Sequence, residues 1–383
     1  MISPAEVNIL QEQEMAFFLQ RHTLKPKAEE TSEITRRFAM NDVGRLLAAG
    51  MQDRTIRILS ANDCKEIQCM EDDYLCTSLA FSPRGDILAS GSVERVVKLW
   101  DIRTGDCLAT FEGHEYPVLS LSFSPSGDRL VSSSGDTTLI VWDIDNREKI
   151  RQMKGHTLYV LSCDWDPSGN RIASGGVDAL MCIWDANSGE KIQTIEQHRT
   201  AVHEVRFSPD GKILASGSSD LTIKLWKGNP ELELDETLRG HSAEVRALAF
   251  SGDGKFLASG SSDKEIFVWS MEHRTIEGDT STDGEIDGLE WYPNHKAFLS
   301  SDGSGAIIKW DLKLLRAVLK PFEDLLDEIK ADEDGSRRDE LIEKLRNLQS
   351  RYDEETLRDK RVFYAVWKCK RALGLLKGKP RKR

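Results

Sequence analysis

Six stretches of the chain end on a tryptophan at nearly constant intervals. Trp100, Trp142, Trp184, Trp226, Trp269 and Trp310 are 42, 42, 42, 43 and 41 residues apart. A degenerate unit, "AAGMQDRTIRIL", ends at Leu59, 41 residues before Trp100, which makes seven. A chain of 383 residues built this way is one repeat array with extensions. Each unit is a supersecondary element whose apolar face is buried only by its neighbours.

Within a unit the pattern is that of short strands. "VLSLSFSPSGDRLVSSS" alternates apolar and polar residues, turns at Ser-Gly-Asp, and alternates again. "SPRG", "SPSG", "DPSG" and "SPDG" are four versions of one turn, with proline setting φ early and glycine tolerating positive φ late. Four antiparallel strands per unit make a twisted blade, and seven blades around an axis leave few open edges. "KLWD", "IVWD", "CIWD" and "IKWD" close four units on Trp-Asp.

Period, turn and Trp-Asp together resemble the WD40-repeat family over about residues 17–320. The resemblance implies an all-β, seven-bladed β-propeller. An N-terminal helix (residues 1–16) and a helical extension with a basic tail (residues 321–383) are expected around it. "SPAE" at Ser3–Glu6 reads as a helix start. "FFLQRHTLKP" (Phe17 to Pro26) resembles the outermost strands of other units and is the expected closing strand of the last blade. "KLLRAVLK" (Lys313 to Lys320) competes with it and could instead be helical.

Serine, histidine and aspartate recur in a way that invites a catalytic reading. His114–Ser132–Asp136–Trp142 returns as His156–Ser174–Asp178–Trp184, His198–Ser216–Asp220–Trp226 and His241–Ser259–Asp263–Trp269, always spaced 18, 4 and 6. A triad needs one exposed nucleophile, an oxyanion hole and a pocket, and no GxSxG elbow accompanies these serines. Four equal copies fit a structural role. The resemblance implies a hydrogen-bonded chain from indole through serine and histidine to the turn aspartate, and no catalytic residue, cofactor or metal is expected. Units one, two and seven depart: Thr31, Ala49 and Leu59; Asp72 and Glu94; Thr282 and Ser304 stand at tetrad positions. These blades are expected to be less firmly locked.

The resemblance also implies that one face of the ring is lined by the starts of the inner strands and by the residue before each turn aspartate. Counting from the core aromatic gives an apolar arc of Leu75, Val93, Pro117, Leu119, Tyr159, Leu161 and Val177. A charged arc of His203, Glu244, Arg246, Glu285 and Asp287 follows, with Arg36 in unit one. An apolar patch rimmed by charge is the usual anatomy of a protein-recognition surface, and Tyr159 is the expected anchor. The competing reading makes these leucines the inner ends of core strands.

The net charge of −12 argues against a generally nucleic-acid-binding surface, yet the ten Lys/Arg from Lys360 onward face no Asp or Glu. The seven cysteines are scattered singly and read as reduced thiols. The first residues lack a signal-peptide pattern and no apolar run reaches membrane-spanning length, so a cytoplasmic protein is expected, or a nuclear one in a eukaryote. After Asp311 the composition turns to charge-rich helix. Leu341, Leu345, Leu348 and Tyr352 form one apolar stripe and Val362, Val366, Cys369, Leu373 and Leu376 another, with Trp367 beside it. These stripes either dock within the chain or meet a partner helix or coiled coil.

The sequence therefore reads as a non-enzymatic scaffold binding a protein or peptide on one face. Two alternatives stand beside it. "ILASGSVERVVKLWDIR" resembles the box by which substrate receptors of cullin-type ubiquitin ligases engage their adaptor, with Arg103 as the key cation and Glu94 as a departure. The basic tail could instead serve a nucleic-acid-associated scaffold.

Overall fold

The computed structural model describes residues 17–24, 34–41, 45–293, 296–302, 307–331, 337–350, 365–366, 368–370 and 373, with backbone alone for 17–24, 34–37, 313–321, 323 and 338. The expected N-terminal helix lies outside these residues. So do Thr31, Gly303, Ser304, Tyr352, Val362, Trp367, Leu376, the basic tail and the side chain of Arg36.

Seven four-stranded antiparallel sheets follow one another along the chain. Blade three shows the plan, with strands Val118–Phe123, Arg129–Ser134, Thr138–Asp143 and Glu148–Lys154 running from the axis outward. Each inner strand packs against the next, and that of the seventh blade, Ile286–Trp291, meets that of the first, Ile34–Met40, which closes the ring. The seventh sheet runs Ile286–Trp291, Ala297–Asp302, Ile307–Leu314 and finally Phe17–Leu24. Lys313 and Leu314 end a strand, and the Leu315–Ala331 helix begins directly after it.

The alternation seen in the sequence becomes burial on both faces of each blade. Clusters such as Val131, Leu139, Val141, Val160, Ile172 and Trp184 span two neighbouring blades, so no blade owns its core. The first turn of blade three is fixed by Gly127 at φ +79° and by Ser124, whose Oγ accepts the Arg129 N–H at 3.0 Å.

One irregularity recurs where the inner strand begins. The ladder slips between Cys76 and Ser78, Val118 and Ser120, Val160 and Ser162, Val202 and Glu204, Val245 and Ala247, and Ile286 and Gly288. Thr77, Leu119, Leu161, His203, Arg246 and Asp287 are the extra residues of these bulges. A bulge takes a residue out of the ladder and re-aims its side chain.

The chain divides into two compact units: Thr23–Lys309, and Met1–His22 with Trp310–Arg383. In the second, the helices Leu315–Ala331 and Arg338–Gln349 share a core with Val366, Cys369 and Leu373. Phe322, Leu325 and Ile329 meet Leu341, Leu345 and Leu348, and Val366, Cys369 and Leu373 complete the cluster. The described members of the two expected stripes bury each other, together with a third set, Phe322, Leu325 and Ile329, that the sequence reading did not single out. Among the described residues no helix is long and apolar enough to cross a membrane.

Candidate functional site

The four tetrads are closed hydrogen-bond chains. Trp142 Nε1 donates to Ser132 Oγ at 2.8 Å, Ser132 Oγ lies 2.7 Å from His114 Nε2, and His114 Nδ1 lies 2.7 Å from Asp136 Oδ2. The corresponding indole–serine and serine–imidazole distances in blades four to six are 2.7 to 2.9 Å. Ser132, Ser174, Ser216 and Ser259 are fully buried, so none is placed as an exposed nucleophile. Among the described residues no group of three His, Cys, Asp or Glu side chains gathers as a metal site would need.

Each tetrad aspartate also holds a turn together. Asp136 accepts the Glu115 N–H at 2.9 Å and the Thr138 N–H at 2.9 Å, spanning a residue, Thr137, at φ +71°. Left-handed backbone at a β-branched residue persists only when its surroundings fix it, and the carboxylate supplies that constraint. Burial alone would raise the Asp136 carboxyl, but hydrogen bonds from His114, Thr138 and Glu115 outweigh it and hold it below its ordinary value. Asp178, Asp220 and Asp263 are lowered in the same sense. A depressed carboxyl contributes stability above its unfolded value of 3.8 and loses it as pH falls through the folded value. Thermal unfolding followed by circular dichroism should therefore show the melting temperature dropping steeply below about pH 4. Asp136→Asn should flatten that slope; an unchanged slope would remove the aspartates from the account.

Blade two solves the same problem with different chemistry. Trp100 Nε1 still donates to Ser90 Oγ at 2.9 Å, but Asp72 stands where the other blades place histidine. Lys98 Nζ donates to Asp72 at 2.7 Å and to Asp73 at 3.1 Å, and Lys98 and Asp72 are both buried. A buried charged pair thus stands where the other blades place the imidazole.

The positions counted for the partner face come together as pairs. The N–H of the residue before the turn aspartate donates to the carbonyl at the start of the inner strand: Val93 to Leu75, Gly135 to Pro117, Val177 to Tyr159, Ser219 to Ala201, and Ser262 to Glu244, at 2.9 to 3.1 Å. Within the apolar arc Tyr159 is 49% and Val177 39% exposed, while Leu75, Val93, Pro117, Leu119 and Leu161 are only partly exposed. Counting missed two exposed members, Tyr116 at 52% and Leu158 at 48%. The Tyr116 and Tyr159 rings lie 6.3 Å apart, beside Gly135; a Cβ built there would sit 3.3 Å from Tyr116 Cβ and 3.6 Å from the Tyr159 ring. Glycine leaves the space the two rings occupy.

The charged arc is largely spent on itself. Arg246 bridges Glu285 at 2.7 Å, Asp287 at 3.3 Å and Glu244 at 3.3 Å, and Asp287 is buried. His203 Nε2 lies 2.7 Å from Ser219 Oγ and 3.6 Å from Glu244. On the inner strand of blade four, burial raises the Asp164 carboxyl to about 6, with the Arg206 guanidinium drawing it back. Arg103 is exposed, in a turn where Asp101 accepts its N–H at 2.8 Å.

Two family models match. The "Echinoderm microtubule-associated protein second beta-propeller" covers residues 120–305, and "WD domain, G-beta repeat" covers residues 65–101. With seven four-stranded sheets and the Trp-Ser-His-Asp chains in place, these decide the family. The chain is a WD40-repeat propeller. Pre-mRNA-processing factor 19 of Oryza sativa subsp. japonica is 52% identical over 42 residues, 11% of this chain and 8% of its own length. The U5 small nuclear ribonucleoprotein 40 kDa protein of Dictyostelium discoideum is 34% identical over 71 residues, 18% of this chain and 20% of its own. The probable serine/threonine-protein kinase PkwA of Thermomonospora curvata is 38% identical over 53 residues, 14% of this chain and 7% of its own. The WD40 chain thus matches a fifth or less of the length of each of these relatives. A WD40 ring is in general a protein-interaction scaffold.

Proposed function

We propose that this WD40 protein is a non-enzymatic scaffold that seats a protein or peptide segment on the face of blades two to four. The observation that carries this reading is the exposed Tyr116–Tyr159 pair beside Gly135, continued by Leu158 and Val177. Aromatic side chains bury much apolar area at little conformational cost and dominate interface energetics. Two half-exposed rings held side by side over Gly135 offer an apolar surface on which a partner's side chain can pack. The charged arc bounds this patch and, with Arg246 already paired, contributes orientation more than affinity.

Affinity capture with the full chain, quantified against Tyr116→Ala/Tyr159→Ala, tests this. Partners held here should lose about thirtyfold or more in affinity, the effect of removing a hot-spot aromatic of about 2 kcal/mol. Melting should be unchanged, because both rings are about half exposed. Partners recovered equally by the double variant would overturn the assignment. If their recovery were instead removed by Arg103→Ala, the ligase-adaptor box would be the better reading.

A further inference from the structure

A lysine in blade five lacks the counter-ion that its equivalent in blade two possesses. Lys98 lies opposite Ser90 and Thr110, and Lys224 opposite Ser216 and Thr237, so the two occupy one register position. Lys98 is neutralised by Asp72 and Asp73. At the position of Asp72, blade five has His198, which is committed to Ser216 and Asp220. Lys224 Nζ donates instead to Thr237 Oγ1 at 3.3 Å.

Two further cations converge on it. Arg199 follows His198 in the chain, and Arg239 lies opposite Thr222 on the outer strand. With Gln197, Asp220 and Thr222, the three cations line a cavity of about 350 Å³. Among the described residues none of the three is in an ion pair. Asp220, the one carboxylate in the lining, is occupied by His198, the Arg199 N–H and the Thr222 hydroxyl. Burial, with the Lys224 ammonium adding to it, holds His198 below its ordinary value and so favours its neutral form. Three cations against one carboxylate leave the cavity at +2, in a chain of net charge −12.

We propose that this cavity takes the phosphoryl group of a phosphoserine or phosphothreonine carried on a partner peptide. Such a group brings a charge of about −1.5 to −2 and three acceptor oxygens, which matches the site. Guanidinium forks bind phosphate oxygens in pairs. A second groove of about 320 Å³ favours a peptide over a free anion: it shares Gln197 with the first and is lined by Ile195, Trp226, Leu232 and Leu234. Leu234 is 43% exposed there and offers a seat for an apolar neighbour of the phosphorylated residue. Glu196 and Glu233 in the same groove disfavour a second phosphate.

Isothermal titration of the full chain decides the matter with three probes: a short peptide carrying one phosphothreonine flanked by leucines, its unphosphorylated twin, and inorganic phosphate. The phosphopeptide should bind at least tenfold tighter than either of the others. Arg199→Gln and Arg239→Gln, both at exposed positions, should each weaken it tenfold or more without moving the melting curve. Tyr116→Ala/Tyr159→Ala should leave its affinity unchanged, which separates this site from the proposed partner face. Equal binding of the twin, equal binding of inorganic phosphate, or affinity surviving the Arg199→Gln/Arg239→Gln double variant would each overturn the proposal.

Discussion

Trp184→Ala should lower the unfolding free energy by about 3–5 kcal/mol, as removal of a buried large aromatic does. Trp184 is 1% exposed in a cluster drawn from two blades, so its loss opens a cavity felt on both sides. It also removes the donor that Ser174 Oγ receives at 2.9 Å. Trp184→Phe separates the two effects, since most apolar contact remains while the donor is lost; about 1–2 kcal/mol is expected from that change. Urea unfolding followed by circular dichroism reads both variants. If Trp184→Ala stayed within about 1 kcal/mol of the parent, indole burial could not be what holds the blade.

Asp72→Ala should cost a similar amount, about 3–5 kcal/mol, because breaking a buried ion pair from one side strands the other charge. Lys98 would keep only Asp73, whose side chain is 80% exposed. Burial depresses the Lys98 ammonium, and the two aspartates more than reverse that, so the lysine remains charged as long as they are present. Blade three supplies the internal control, with His114, Asp136 and Ile140 where blade two has Asp72, Glu94 and Lys98. The triple change Asp72→His/Glu94→Asp/Lys98→Ile should recover most of the loss in the same urea experiment. A triple variant as unstable as Asp72→Ala would show that the two blades are locked by different means altogether.

The fold was legible because it is written seven times. The 18-4-6 spacing of His114, Ser132, Asp136 and Trp142 repeats at fixed register, and one hydrogen-bond geometry can satisfy only one spacing. What the repeat does not encode was harder to see. Tyr116 precedes its counted neighbour Pro117 by one residue, and its exposure depends on how the strand enters the blade. The bridge from Arg246 to Glu285 joins residues 39 apart on adjacent blades, a distance at which charge patterning gives no signal. The burial of Lys98 beside Asp72 left no mark in the sequence, because only the fold brings these residues, 26 apart, within hydrogen-bonding distance. The helical stripes were visible singly, but that Phe322, Leu345 and Cys369 cover one another depends on three segments folding back together.

The make-up of the seventh sheet bears on how the chain folds over time. Its outermost strand, Phe17–Leu24, is synthesised before every other strand of the ring, while its neighbour Ile307–Leu314 emerges more than 280 residues later. Every other sheet is assembled from consecutive strands and can form soon after its own residues appear. The last waits for nearly the whole propeller, and a contact of such sequence separation is slow to find because the intervening loop must first be closed. Until then Phe17–Leu24 is an unpaired strand, so the interval before closure is when the nascent chain is most exposed to pairing with the wrong edge.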